Sequence, residues 1–251
     1  MIVKSVETGW EVVYQAAHAL LAGKIATQLR QLPAVHYWPE TLAALFEHDD
    51  HKTSFGKNVY LTSLGAPKDF TQFRFTAKER AREVCRRIEN GYRKHRWIGL
   101  LAARHAEELY RSEKISPSLR ALIDDEIERR AAILHELGTT KAALESAYAV
   151  LQWCDRISLI LCQGAIPAMH RRIEIAPLEN QRYQMWQRPD NTVAIEPWPF
   201  SAKIFVEHVE VRTLQQLIFT SDSELQEHLR ACPVEMRTWH FQKTARSNRS
   251  H

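Results

Sequence analysis

The chain has 251 residues, which is enough for one large domain or for one medium domain with a small appendage. Its hydrophobic content of 45% and charged content of 25% are ordinary for a globular protein. The formal net charge of +4 is mild and spread over the middle and the end of the chain, so charge gives no argument for binding to nucleic acid.

The sequence predicts neither a targeting segment nor a disulfide framework. The start, MIVKSVETGW, lacks the charged head and apolar core of a secretory signal. No apolar run approaches the ~18 residues of a membrane span. The 4 cysteines are scattered without a CxxC pair, which is typical of reduced thiols and disfavours a cysteine zinc site. These features predict a cytoplasmic protein that does not insert into a membrane.

The first elements are a hairpin and a helix. The β-rich segments MIVKSV and WEVVYQ flank the turn residues ETG, which predicts an N-terminal β-hairpin. The segment AAHALLAGKIATQLRQL then predicts a helix, because its apolar residues recur at spacings of three and four. His18 lies in the first turn, in line with that apolar face.

A second helix is predicted over WPETLAALFEHDD, with Pro39 at a favourable first-turn position. His48 and Asp49 border its buried face, one turn past the last apolar residues, whereas Asp50 and His51 rotate away. An irregular stretch follows from 52 to 75, and loops of this length are often functional. We expect it to cover a pocket at the HDD segment.

Four further helices are predicted. TAKE, from Thr76, has the form of a capping box and starts a helix that we expect to stop at Gly91. The helix RWIGLLAARHAEELYR places His105 in the middle of its apolar stripe. A helix with a Ser-Pro start runs to Gly138. In the last one, TKAALESAYAVLQWCDRISLILCQG, Asp155 is a carboxylate inside the apolar stripe.

After Pro167 the pattern changes to strands. Short β-rich segments, a Ser-capped helix SDSELQEHLRAC and a final strand VEMRTWHFQ are predicted. The aromatic EPWPF segment is interpreted as a packing corner, with a dimer contact as the alternative. The predicted organisation is a helical region with its hairpin over 1–165, a small β-rich region over 166–242 and a disordered tail over 243–251.

Four predicted helices each place unusual polar groups on an apolar face. A buried carboxylate is costly unless it is paired or bound to a metal. Each group alone has an ordinary alternative: a capped or satisfied core histidine, a hydrogen-bonded aspartate or a polar helix end. Together they indicate a site for Fe, Mn, Co, Ni or Zn, as one or two ions. The candidate ligands are His18, His48, Asp49, His105 and Asp155.

The order of these residues resembles that of the HD-domain superfamily: a His, then His-Asp, then a distant Asp. The matches are His18, His48, Asp49 and Asp155. The resemblance implies an all-helical fold and a divalent metal used by phosphohydrolases and phosphodiesterases. His105 is similar to the intermediate histidines of members with two metals. The expected fold class is therefore α+β, mostly α: an HD-like helical domain with an N-terminal β-hairpin and a small C-terminal β region.

A closer resemblance is to the bacterial domain of unknown function 3891 family. It is carried by segments spread over nearly the whole chain, namely the MIV start, AHALLAG, EHDD, GAPKDF, LLAARHAEELY, LQWCDRISLILC and EPWPF. The family implies no known activity, so the function has to be inferred from the site.

The predicted function is a metal-dependent hydrolase acting on a phosphate ester or nucleotide through a metal-activated water. Asp50 or His51 would relay a proton, and Arg104 and Arg156 would bind phosphate. Asp69 would anchor the long loop over the site, or would be a simple turn cap. The alternatives are a non-haem iron oxygenase and a non-enzymatic metal- or ligand-binding regulator. The expected partner is a small phosphorylated substrate, with a homodimer as a further option and nucleic acid disfavoured.

Overall fold

The computed structural model describes residues 1–30, 32, 35–49, 59–111, 113–169 and 171–244. Within these ranges the chain forms seven α-helices and one seven-stranded sheet. None of the helices in these ranges is long and apolar enough to cross a membrane.

The N-terminal hairpin is confirmed. Strand β1 (Ile2–Val6) pairs antiparallel with β2 (Gly9–Val13), as the turn residues between two β-rich segments predict. Helix α1 (Gln15–Thr27) follows at once, and α2 (Trp38–Glu47) begins with a Pro in its first turn. After the segment 50–58, which lies outside the described residues, a 3-10 helix (Phe70–Gln72) is the next element.

Four long helices form the middle of the chain, and local signals set their starts. Helix α3 (Ala77–Lys94) has the predicted capping box, α4 (Arg96–Tyr110) follows it almost directly, and α5 (Pro117–Glu136) has a serine cap. Helix α6 (Lys141–Cys162) is buried over most of its length. The capping side chains at these helix starts accept hydrogen bonds from backbone N–H groups that have no partner inside the helix.

The C-terminal part supplies five strands and a helix. These are β3 (Ile173–Glu174), β4 (Gln184–Gln187), β5 (Val193–Glu196), β6 (Ile204–Leu214), α7 (Asp222–Ala231) and β7 (Val234–Gln242). Burial alternates along β6, so one of its faces points into the core.

All seven strands belong to one sheet with the order β1-β2-β6-β7-β5-β4-β3. Neighbours are antiparallel except for β5 and β7, which are parallel. The sheet is curled into a half-barrel. Its strands come from both of the regions predicted as 1–165 and 166–242, because β2 pairs with β6.

The predicted fold class is therefore wrong in its proportions and in its likeness to an HD domain. The chain is α+β, with about 48% helix and 20% strand, rather than mostly helical with a small β region. The physical reason is that sheet formation joins distant segments. The pairing of Trp10 with Leu214 leaves no trace in local periodicity.

The helices and the sheet share one core. Helix α1 packs against α2, α6 and β6, and so connects the helical layer to the sheet. Trp153 of α6 contacts Phe200, which in turn contacts Phe205 and Phe241 of the sheet. Phe200 belongs to the EPWPF segment, so this segment packs into the core.

Gly91 does not end α3, as the sequence predicted, but lies inside it. A Cβ atom built on Gly91 would lie 2.9 Å from the Cα atom of Gly99 in α4. The absence of a side chain therefore allows the backbones of α3 and α4 to approach closely. This approach brings α3 next to the residues of α4 that line the site described below.

Candidate metal centre

Helix α1 brings two polar side chains into the core from its first turn. Gln15 and His18 lie three residues apart, so they share one face of the helix. Both are fully buried, with 0% of their surface exposed. The apolar residues that follow on this face pack into the main core and hold the first turn in place.

Helix α2 contributes a second pair at its C-terminal end. His48 is the C-cap residue, and Asp49 follows it. Thr41, Ala44, Leu45 and His48 are buried at the spacing of one helical face, so the packing of that face directs His48 inward. Asp49 is also buried, with 5% exposed.

Helix α6 supplies the third pair, Asp155 and Ser158, again three residues apart. Ser158 is fully buried. The side chain of Asp155 is 20% exposed, which makes it the most accessible acidic group of the cluster. The helix is buried over most of its surface, so Ser158 is shielded from bulk water, whereas Asp155 contacts His18 and His48 and keeps part of its side chain exposed.

The three helices bring four potential ligand atoms close together. His18 Nε2 lies 3.1 Å from Asp49 Oδ2 and 3.7 Å from Asp155 Oδ1, and His48 Nε2 lies 3.1 Å from Asp155 Oδ1. The ligand atoms of His18, His48 and Asp49 all lie within 4.8 Å of one another. Atoms bound to one ion at about 2.1 Å are separated by roughly 3.0–3.4 Å in octahedral or tetrahedral geometry. The atoms of His18, His48 and Asp49 are therefore close enough to share a single ion, and Asp155 Oδ1 lies beside both imidazoles.

The hydrogen bonds of the other ring nitrogens fix the tautomers. His48 Nδ1 lies 2.7 Å from the carbonyl oxygen of Leu45, which can only accept, so Nδ1 carries the proton. Ser158 Oγ donates its hydrogen to the carbonyl oxygen of Asp155 at 2.8 Å. It therefore accepts from His18 Nδ1 at 2.8 Å. In the neutral form, each ring presents an unprotonated Nε2 to a carboxylate.

Two acceptor atoms at 3.1 Å repel each other unless a proton or a cation lies between them. The pKa shifts of the groups in the site reflect this repulsion. Burial of the His48 ring acts to lower its pKa, but the charges of Asp155 and Asp49 outweigh burial and raise the pKa above its usual value. Burial acts to raise the pKa of Asp155, but His48 and His18 lower it overall. The cluster therefore favours positive charge between its imidazoles and carboxylates.

Comparisons with known proteins identify the family. The family model described as a protein of unknown function (DUF3891) matches residues 1–216. The chain belongs to the DUF3891 family. Comparison with curated proteins and with solved structures gives no match. The DUF3891 match covers α1 to α6, and thus every residue of the cluster.

His105, the fifth predicted ligand in this DUF3891 chain, lies beside the cluster rather than in it. Its ring is 6.0 Å from the His48 ring, centroid to centroid, and its Nδ1 lies 3.4 Å from the hydroxyl of Tyr148. Burial lowers the pKa of His105 to about 3, so the ring is neutral at pH 7. The structure thus brings together four of the five predicted ligands, and His105 forms a neutral wall next to them.

The predicted phosphate-binding residues have other surroundings. Arg104 forms ion pairs with Glu108 and Glu145 and lies over the ring of Tyr148. Arg156 is exposed. Neither is brought to the cluster by its described contacts.

Asp69 caps the 3-10 helix with its side chain and accepts the backbone N–H of Val3 at 3.0 Å. It therefore fastens residues 69–72 to strand β1, and its bonds match those of a turn cap. Asp50 and His51, predicted to relay a proton, lie outside the described residues.

Sequence reasoning did not identify three residues that shape the site. Gln15 Nε2 donates to Asp49 Oδ2 at 3.2 Å, and Ser158 supports His18 as described above. Their spacing of three residues from His18 and Asp155 was the available signal. Arg87 of α3 donates to the carbonyl oxygen of His48 at 3.4 Å. It gave no signal, because its helix is rich in arginine throughout.

Proposed function

We propose that the chain binds one divalent transition metal ion through His18, His48, Asp49 and Asp155, and that it uses this ion to hydrolyse a small phosphate ester. The observation that carries the proposal is the orientation of both imidazoles. Each has its Nδ1 proton held by an acceptor and its Nε2 lone pair directed at a carboxylate, at distances that suit a shared ion.

The donor set supports a transition metal. Two imidazole nitrogens and two carboxylate oxygens are typical of Fe, Mn, Co, Ni and Zn rather than of Mg or Ca, which prefer oxygen ligands alone. Ligating histidines usually donate their other N–H to a carbonyl, a carboxylate or a similar acceptor. His48 and His18 do so, to Leu45 and Ser158.

The sequence order of the four residues gives further support. It is similar to the His, His-Asp, Asp pattern of HD-type phosphohydrolases, although here the helices that carry it pack on a curled sheet. Fold likeness is therefore no part of the proposal, which depends on the local arrangement of side chains.

A divalent ion held there would lower the pKa of a bound water and neutralise charge on a phosphoryl oxygen. The protein groups around it orient the reactants. Gln15 donates a hydrogen bond to Asp49 and so fixes that carboxylate. Asp155, 20% exposed, marks the side that water and substrate can reach. The predicted proton relay through Asp50 or His51 stays a prediction.

The oxygenase alternative needs a second ion with its own ligands. In the described part of the chain, the ligand atoms of His18, His48 and Asp49 form one close group, and no second, separate group of three or more such side chains lies beside it. His105 instead contacts Tyr148. The arrangement therefore favours one ion and hydrolysis.

Elemental analysis of the purified protein with two matched variants tests the metal site. We expect about one equivalent of transition metal in the wild type and in His105→Gln, and almost none in His48→Gln, because only His48 belongs to the ligand group. Equal metal content in wild type and folded His48→Gln would refute the site. Loss of metal in folded His105→Gln would instead make His105 a ligand.

Turnover is tested separately with the metal-loaded protein and a series of small phosphate monoesters. We expect phosphate release that depends on the metal and is lost in Asp155→Asn. A loaded protein that holds its ion but releases no phosphate, while consuming oxygen with an organic substrate, would contradict the hydrolase proposal and support the oxygenase.

A further inference from the structure

A small cavity lies beside the metal cluster, on the side of His48 that faces α3 and α4. Its volume is about 40 Å³, enough for about three water molecules. Most of its wall is apolar and comes from α2, α4 and α6. The polar groups that line it are Glu47, His48, Arg87, Asn90 and His105.

Arg87 is the unusual member of this group. It is half-buried and lines the cavity, and its Nη1 donates to the carbonyl oxygen of His48 at 3.4 Å. In the described ranges it forms no ion pair with a carboxylate. By contrast, its neighbour Arg86 on the same helix forms an ion pair with Glu83.

The other charged group of the wall is already neutralised. Glu47 forms an ion pair with Lys94. The ring of His105 contacts the hydroxyl of Tyr148. Among the described residues that line the cavity, Arg87 therefore supplies the charge that no ion pair neutralises, and the five N–H donors of its guanidinium can bind an oxyanion through parallel hydrogen bonds.

The charge balance of the neighbouring metal cluster also favours an anion in the cavity. The carboxylates of Asp49 and Asp155 together balance one divalent ion. Arg87 then leaves a net charge of +1 next to that ion, within a partly apolar wall. Uncompensated positive charge in such surroundings is unfavourable, and an anion in the cavity relieves it.

We propose that this cavity binds the terminal oxygens of a phosphoryl group, with Arg87 and Asn90 as donors and with the metal-binding residue His48 on its other side. The inference rests on the proposed function and narrows it. Three terminal oxygens match the space of about three water molecules, whereas a nucleobase does not fit. The substrate class is thus a small phosphate monoester whose remaining part lies outside the cavity.

The test is titration calorimetry of inorganic phosphate and of acetate into the metal-loaded and metal-stripped protein. Arg87→Gln should weaken phosphate binding by about 10- to 100-fold, since it removes charge-assisted hydrogen bonds. Arg87→Lys should retain part of the affinity. Arg82→Gln is the matched control, because Arg82 is an exposed arginine of the same helix, and it should bind phosphate as the wild type does.

Ala102→Leu gives a second, independent perturbation, because it fills the cavity without changing its charge. It should lose phosphate binding and keep its metal. Phosphate affinity equal to that of the wild type in either Arg87→Gln or Ala102→Leu overturns the inference. Acetate binding as tight as phosphate overturns the phosphoryl assignment.

Failure of the proposed function is a separate result. A wild type that takes up no metal, yet binds phosphate in an Arg87-dependent manner, upholds the anion site and refutes the metal-dependent hydrolase. The reverse result is a wild type that takes up metal and hydrolyses phosphate monoesters, while Arg87→Gln binds phosphate as tightly as the wild type does. This result supports the metal-dependent hydrolase and refutes the anion site at Arg87.

Discussion

Ser158 offers the sharpest test of the tautomer argument, because it touches no substrate and is not a proposed ligand. Its Oγ accepts the Nδ1 proton of His18 at 2.8 Å and donates to the carbonyl of Asp155 at 2.8 Å. Replacement by alanine leaves the Nδ1–H of a fully buried ring without a partner. The carbonyl of Asp155 loses less, since it lies inside helix α6.

The magnitude follows from these two losses. A buried donor without a partner costs about 1–3 kcal/mol, so Ser158→Ala should lower the free energy of unfolding of the metal-free protein by that amount. It should also release the ring to adopt the other tautomer. Loss of a hydrogen bond that supports a metal ligand typically weakens metal affinity by about 10- to 100-fold.

Two measurements check the prediction: urea unfolding of the metal-free protein, and metal affinity by competition with a chelator. Ser146→Ala is the matched control, because Ser146 lies on the same helix and is only partly buried. It should leave metal affinity unchanged. If Ser158→Ala binds metal as tightly as the wild type, His18 does not depend on this hydrogen bond and the tautomer argument fails.

Three further predictions concern the scaffold. Gly91→Ala should destabilise the protein by about 1–3 kcal/mol in urea unfolding, because its Cβ would meet the Gly99 backbone. Tyr92→Phe should cost about 1.5–3 kcal/mol in the same assay, since the Tyr92 hydroxyl donates to the buried Glu126 at 2.7 Å. Hydrogen bonds lower the pKa of Glu224 to about 2, so its support of α7 is complete above about pH 4.5 and is lost as the pH falls towards 2. The protection factors of the α7 amides, which are the exchange rates corrected for the intrinsic pH dependence of amide exchange, should follow that course in the wild type and be flat with pH in Glu224→Gln.

The parts of the fold that were predicted correctly are those specified by local signals. The capping box at Thr76, the serine cap of α7 and the N-terminal hairpin all depend on residues a few positions apart. The prediction failed where contacts are distant. The nine register pairs of β6 with β7 and the pairing of β2 with β6 depend on packing between segments that local periodicity cannot relate.

The candidate site shows the same division. Helical periodicity predicted that His18, His48 and Asp49 face the core, and all three are buried. It also placed His105 on a buried face, but burial alone could not show that the ring packs beside His48 and contacts Tyr148 rather than joining the group of ligand atoms. Gln15 and Arg87 reach the site through tertiary packing. Gln15 offered only its spacing of three residues from His18 as a signal, and Arg87 offered none.

The energetic character of the cluster supports the proposal that it binds an ion rather than only stabilising the fold. Asp49 and Asp155 are carboxylates placed against imidazoles in a largely apolar core, and buried ion pairs of this kind are often no more stabilising than apolar side chains of the same size. A fold that needed only stability would fill the junction of α1, α2 and α6 with leucine or valine. The proposed ion would satisfy both carboxylates at once, and it would stabilise the folded state further as its concentration rises above its Kd. Occupancy of the proposed site would then be linked to the stability of the three helices that build it.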